Sequence, residues 1–298
     1  MEIKITDNNN IRIDIFLANN TDYSRSKIVK NIKNGNILVN NKEVKNSYIL
    51  KQDDIITINE IEEEVMDVKP EEMDLDIVYE DDDVIVVNKA NGVVVHPAPG
   101  NYHGTLVNGL MHYSNSLSDI NGEFRPGIVH RIDAYTTGLL MVAKNNEAHE
   151  ILAKELEEKK TTRKYIALVW GVINTDTGTI DAPIGRDISD RKKMAVTSLN
   201  SKEAITHFKV LERYKNATLI ELKLETGRTH QIRVHMNYIG YPVVNDPVYG
   251  KRQIFDNTGQ CLHAKELGFI HPATNKYMEF TSELPECFNN ILNKFKDS

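Results

Sequence analysis

The spacing of apolar positions changes along the chain. Ile13, Phe16 and Leu17 fall at helical intervals. A second helix carries Ile28, Val29 and Ile32, with Ser24 as its N-cap and Gly35 as its stop. Ile37-Leu38-Val39 and Ile55-Ile56-Thr57-Ile58 read as strands, with Asn40-Asn41 as a turn. From Leu75 short strands dominate. Ile77-Val78-Tyr79 and Val84-Ile85-Val86-Val87 flank the acidic turn Asp81-Asp82-Asp83, which suits a hairpin better than a metal site. Asn91-Gly92 predicts a turn into Val93-Val94-Val95. Strand-like Gly127-Ile128-Val129 and Leu139-Leu140-Met141-Val142-Ala143 bracket a polar run. Lys164–Val169, Ala204–Leu211 and Leu219–Leu224 are further strands, and Glu147–Glu158 is an amphipathic helix. The pattern predicts an α+β chain: a small α/β unit, an acidic linker over 61–74, then a mixed, largely antiparallel sheet.

A length of 298 residues allows two domains, and 40% hydrophobic with 27% charged residues is ordinary for a globular protein. No apolar run reaches membrane-span length and Met1-Glu2-Ile3-Lys4-Ile5-Thr6-Asp7 has no signal core, so a cytoplasmic protein is expected. Cys261 and Cys287 form neither a disulfide framework nor a zinc pattern. The net charge of −7 argues against nucleic acid only until its distribution is read. Between Thr21 and Lys51, Arg25, Lys27, Lys30, Lys33, Lys42, Lys45 and Lys51 face only Asp22 and Glu43. The acidic excess follows, from Asp53 to Asp76.

The polar run is His130-Arg131-Ile132-Asp133-Ala134-Tyr135-Thr136-Thr137-Gly138. It sets one carboxylate between a basic pair and a small-residue turn. An Asp in such a place commonly just caps the turn. Two further strings change that balance: Thr162-Arg163-Lys164-Tyr165-Ile166-Ala167-Leu168-Val169-Trp170-Gly171 and Glu225-Thr226-Gly227-Arg228-Thr229-His230-Gln231-Ile232-Arg233-Val234-His235. Together, in this order, they resemble the three motifs of the RluA/RluD family of pseudouridine synthases. Smaller matches, such as Val95-His96-Pro97 and Asn245-Asp246-Pro247-Val248-Tyr249-Gly250, follow the same order across residues 75–285, within a catalytic domain expected over 75–290. Residues 12–60 resemble the S4-type (alpha-L) RNA-binding domain. The resemblance implies a small α/β RNA-binding domain followed by a mixed, largely antiparallel-sheet catalytic domain with a central cleft.

It also implies an isomerase that converts uridine to pseudouridine in RNA, without cofactor, metal or obligate protein partner. Asp133 would be the catalytic residue, acting as nucleophile or by removing a ribose proton. Tyr165 would hold the extruded base, since every base presents a π face. Arg233 would pair with Asp133 and keep it ionised. Arg131, Arg228, His230 and Gln231 would contact RNA at the cleft, and Arg25, Lys27, Lys30 and Lys33 would meet phosphates from the first domain. Each has a plainer reading, as a packed tyrosine or a solvated cation. His230 and His235, five apart, do not suit one metal. The chain departs from the family at Ala134 and Tyr135, where Lys and Asp are common, which bears on target choice. The appended basic module points to large-subunit ribosomal RNA, with transfer RNA open. The rivals are an idle RNA-binding or assembly factor, which needs no Asp-Tyr-Arg set, and an N-glycoside hydrolase, which ordinarily uses a carboxylate pair.

Overall fold

The computed structural model describes residues 1–6, 11–21, 23, 25–59, 68–98, 101–122, 125–190, 193–250 and 253–296. Ser24 and residues 60–67 of the acidic stretch lie outside them. The chain divides into two compact units, Met1–Val65 and Met66–Ser298.

In the first unit the two predicted helices are Ile13–Asn20 and Arg25–Lys33. Their apolar stripes, Ile13 and Leu17 with Ile28 and Ile32, close over Ile37, Val39, Ile56 and Ile58 of a four-stranded antiparallel sheet. Asn40 and Asn41 both take positive φ (50° and 61°), the turn that matches the twist of a two-residue hairpin between Ile37–Val39 and Lys42–Glu43. The edge strand Glu2–Lys4, pairing with Ile55–Ile58, has no sequence signal because only Ile3 is apolar in it. Asp14 is fully buried, and the guanidinium groups of Arg12 and Arg25 both donate to it.

The second unit is built on a nine-stranded sheet. Its order is Asp76–Glu80, Val84–Lys89, Thr137–Ala143, Leu262–Ile270, Thr162–Trp170, Ala217–Leu224, Ile205–Arg213, Thr177–Asp181, with Tyr277–Thr281 also paired to Leu262–Ile270. Every pairing is antiparallel except that of Leu262–Ile270 with Thr137–Ala143. The Asp81 turn is a hairpin: Asp81 Oδ1 accepts from the amides of Asp83 and Val84, and Oδ2 from Tyr79 and His271.

Two expected strands are not strands. The carbonyls of Val94 and Val95 accept from the first free amides of helix Leu106–Tyr113, so they are not available to a ladder. Gly127-Ile128-Val129 makes only one bridge, Ile128 to Val142, and the chain enters the Asp133 turn as a loop. Residues 69–73 also contact that helix: Asn108 bonds the Lys69 carbonyl, the Glu71 amide bonds the Asn108 carbonyl, and Met73 packs at Gly109. Among the described residues no helix is long and apolar enough to cross a membrane.

Candidate active site

The sheet brings the three motifs together. Ala264 pairs with Gly138 on one side and Tyr165 on the other. The strand leaving the Asp133 turn and the strand carrying Tyr165 are therefore two steps apart, about 10 Å. The close pairing at Gly138 leaves no room for a side chain: a Cβ there would run into the Ala264 backbone, and φ is +110°. The turn itself is closed by the Thr136 amide donating to the Asp133 carbonyl (3.0 Å). Gln260 bonds the Thr136 hydroxyl at 3.0 Å, and His263 bonds the Thr137 hydroxyl at 2.8 Å.

Arg233 lies in the first turn of helix Gln231–Tyr238, 4% exposed. Its Nη1 donates to Asp133 Oδ2 at 2.9 Å. Its Nε and Nη2 form a bidentate pair with Asp246 (2.7 and 3.0 Å). Asp246 is completely buried, and its Oδ1 also accepts from the amides of Val248 and Tyr249. One guanidinium thus spans two carboxylates, one sealed in the core and one, Asp133, with 19% of its side chain exposed. Burial lowers the Arg233 pKa, but the bonds from Asp246 and Asp133 more than offset it, so the group is a permanent cation.

Tyr165 is 6% exposed and lines a cavity of about 50 Å³ together with Asp133, Arg131, His230 and Arg233. Burial raises its pKa, with Asp133 adding to this and Arg163 opposing it, so it carries its proton at neutral pH. His230 begins the Arg233 helix in the left-handed conformation (φ 57°). Its Nδ1 bonds the Tyr249 hydroxyl at 2.8 Å and its Nε2 stands 3.8 Å from Asp133 Oδ1. Burial lowers its pKa more than Asp133 raises it, so it is neutral.

Arg131 is exposed and bonds His96 Nε2 at 3.0 Å, while Arg228 is half-buried and donates from Nε to the Glu203 carbonyl at 2.8 Å. Gln231 lines the Asp133 cavity, but its amide is spent on bonds within the protein. It is 3% exposed; its Oε1 accepts from Thr226 and the Arg228 amide, and its Nε2 donates to Ile205 and Thr206. It folds the loop that delivers His230 and Arg233. His235 is fully buried between Thr206 and the Ala182 carbonyl, away from His230. Tyr135 packs over Gly259 and borders a separate small cavity, so the departing aromatic ring does not line the Asp133 cavity. In the first unit Arg25, Lys30 and Lys33 are exposed and Lys27 is half-buried over the Tyr23 ring.

Asp246 and Lys89 are site residues that the sequence reading did not assign. Lys89, 2% exposed, holds the turn from beneath by donating to the carbonyls of Ala134 (2.7 Å) and Ala90 (2.8 Å). Burial pushes its pKa down to about 7 against the opposing pull of Asp133. The Asn245-Asp246-Pro247 string was visible, but nothing local indicates that Asp246 reaches Arg233.

A model of the RNA pseudouridylate synthase family matches residues 83–238, and a model of the S4 domain matches residues 11–56. An uncharacterized RNA pseudouridine synthase of Bacillus subtilis, YlyB, is 55% identical, over 96% of this chain and 94% of its own. Ribosomal large subunit pseudouridine synthase D of Neisseria meningitidis serogroup B is 44% identical, over 94% of this chain and 78% of its own. Among solved structures, human RNA pseudouridylate synthase domain containing 1 is similar with a TM-score of 0.59 at 26% identity, covering 76% of this chain and 96% of the human one. The ordered motifs, the sheet that joins them and these matches lead to one conclusion: the chain belongs to the RluA/RluD family of RNA pseudouridine synthases, isomerases of uridine in RNA, and carries an S4 domain ahead of its catalytic unit.

Proposed function

We propose that the enzyme modifies uridines of large-subunit ribosomal RNA, with Asp133 as the catalytic carboxylate, and that the chain is organised as an RNA-binding domain over 12–60 and a catalytic domain over 75–290. The observation that carries the role of Asp133 is its clamp: one oxygen is held at 2.9 Å by a buried arginine, and the carboxylate still borders an open cavity. The ribosomal target is supported by the name of the Neisseria relative and by the basic helix of the first unit.

The target nucleotide leaves its stack, at a cost of a few kcal/mol, and its base enters beside Tyr165. Asp133 starts cleavage of the bond between the anomeric carbon and the base nitrogen. It acts either by attack on that carbon or by taking a ribose proton; the same held carboxylate serves both routes. The freed uracil turns and its carbon five bonds the anomeric carbon. The proton leaves carbon five and one is gained at the former glycosidic nitrogen, so product and substrate are isomers. Tyr165 supports the base, Arg233 orients Asp133, and Arg131 sits at the mouth where a displaced neighbour would lie. Among the described residues the second carboxylate nearby, Asp246, is sealed, which disfavours a two-carboxylate hydrolase.

The test is carbodiimide-based pseudouridine mapping of total RNA from cells with and without the gene, with Asp133→Asn as the rescue control. Sites in large-subunit RNA that vanish and return only with the wild-type protein are the expected result. Lost sites confined to transfer RNA would refute the ribosomal target. Free uracil in place of pseudouridine would refute the isomerase assignment.

A further inference from the structure

Among the described residues, one buried guanidinium of the catalytic unit has no counter-ion. Arg163 lies two residues before Tyr165 on strand Thr162–Trp170 and is 7% exposed. Its Nε is buried without a hydrogen-bond partner, and its one bond is a long donation from Nη2 to the Glu225 carbonyl (3.4 Å). The Glu225 carboxylate is occupied elsewhere, by His207 at 2.7 Å and Lys159 at 3.3 Å. The groups that act on Arg163 are another cation, Arg228, and the Tyr165 phenol. Burial, with Arg163 beside it, keeps the neighbouring His130 uncharged, so that side chain adds no second positive charge. Burying a cation without an anion is strongly unfavourable, and native chains seldom do it without an occupant in view.

Its position indicates the occupant. Arg163 borders the Asp133–Tyr165 cavity and also a groove of about 600 Å³ that continues from it. Arg125, Arg131, Lys159 and Arg228 line the same groove, and its acids, Glu157, Glu203 and Glu225, include two already paired with Lys159. Gly227 stands over the guanidinium: a Cβ there would lie 2.8 Å from Nη1, so the glycine leaves the donor uncovered.

We propose that Arg163 binds a backbone phosphate of the RNA adjoining the target uridine, its Nη–H groups donating to a non-bridging oxygen where cavity and groove meet. The inference rests on reading the Asp133 cavity as the seat of the target nucleotide. A planar fork of donors suits phosphate, and a phosphodiester bridging the two spaces is the anion that a nucleotide flipped into the cavity brings with it.

The test uses the full chain and an in-vitro transcript of large-subunit ribosomal RNA carrying 5-tritiated uridine. Formation of the new bond at carbon five releases tritium to water. Binding is titrated against salt for wild type, Arg163→Gln, Arg163→Lys and Gly227→Ala, each checked for folding by thermal melting. Loss of one phosphate contact should lower the slope of log affinity against log salt by about 0.7 in Arg163→Gln, and Arg163→Lys should restore most of it. KM for tritium release should rise about tenfold in Arg163→Gln, more than kcat falls. Gly227→Ala, which covers Nη1 without changing charge, should lower the slope in the same way, and it decides the matter if Arg163→Gln does not fold. A wild-type slope in the folded variants would overturn the proposal. Inorganic phosphate at constant ionic strength that raises the melting temperature of wild type but not of Arg163→Gln, without weakening RNA binding, would reassign the site to a free anion and overturn the RNA assignment. Absence of tritium release from wild type would count against the ribosomal substrate, while the slopes would still decide the role of Arg163.

Discussion

Both units of this protein hold a carboxylate with arginine, and they use it in opposite ways. In the first unit Asp14 is fully buried and receives two donors from Arg12 and two from Arg25. In the second unit Asp133 receives one donor from Arg233, and the other donors of that guanidinium are taken by Asp246. A carboxylate saturated by donors and sealed from water can only brace a fold. One held at a single oxygen, 19% exposed at a cavity, keeps a lone pair for chemistry and a fixed direction in which to use it. Asp246 takes the bracing role in the catalytic unit, which leaves Asp133 free of it.

The sharpest way to break this contrast is to neutralise each carboxylate in turn. Asp133→Asn should lower turnover by at least about 10⁴-fold while RNA affinity stays within a small factor. Single-turnover kinetics beside a binding titration would check it, and substantial residual turnover would remove Asp133 from its role. Asp246→Ala leaves Arg233 buried with only Asp133 as partner, so it should destabilise the catalytic unit by about 3–5 kcal/mol in urea titration and reduce activity as well.

Asp14→Asn should cost about 2 kcal/mol and leave turnover of bound RNA unchanged. Burial raises the Asp14 pKa, but the bonds from Arg25 and Arg12 outweigh it and hold the carboxyl below its ordinary value of 3.8. Its stabilising effect is therefore complete above that value and is lost as pH falls through the lower folded value. The gap between wild type and Asp14→Asn should be full at pH 7 and narrow under strong acid. Lys89 has the opposite dependence. Its folded pKa, near 7, lies below the ordinary lysine value of 10.5, so the unfolded chain binds more protons between the two and stability rises with pH across that window. Lys89→Met should flatten this rise in urea midpoints taken at pH 7 and pH 9. The smallest effect belongs to the first unit's surface: Lys30→Gln with Lys33→Gln should lower the salt slope of RNA binding by about 1.4, with the rate at saturating RNA unchanged.

Much of the scaffold was legible in the chain. The helix stripes of Ile13, Leu17, Ile28 and Ile32, the Asn40-Asn41 hairpin, and the strands around Tyr165 and Ile220 follow from periodicity and turn chemistry, because local burial is written into local sequence. The boundaries failed where carbonyls had a competing use, as at Val94 and Val95, which cap a helix instead of joining a sheet. The three ordered strings that bring Asp133, Tyr165 and Arg233 to one cavity were legible, whereas the inward hydrogen bonds of the Gln231 amide have no local signal.

The sequence by itself determined the fold class, the two-part organisation and the family chemistry: those depend on the order of motifs and on which stretches are apolar. Only the tertiary structure decided which polar groups meet. Arg233 lies 100 residues from the carboxylate it holds at the cleft and 13 from the one that holds it, while Arg163 in the same neighbourhood has none among the described residues. Side chains of like charge and like spacing look identical along a chain. Their roles diverge only when folding removes water and leaves each with the partners that geometry allows.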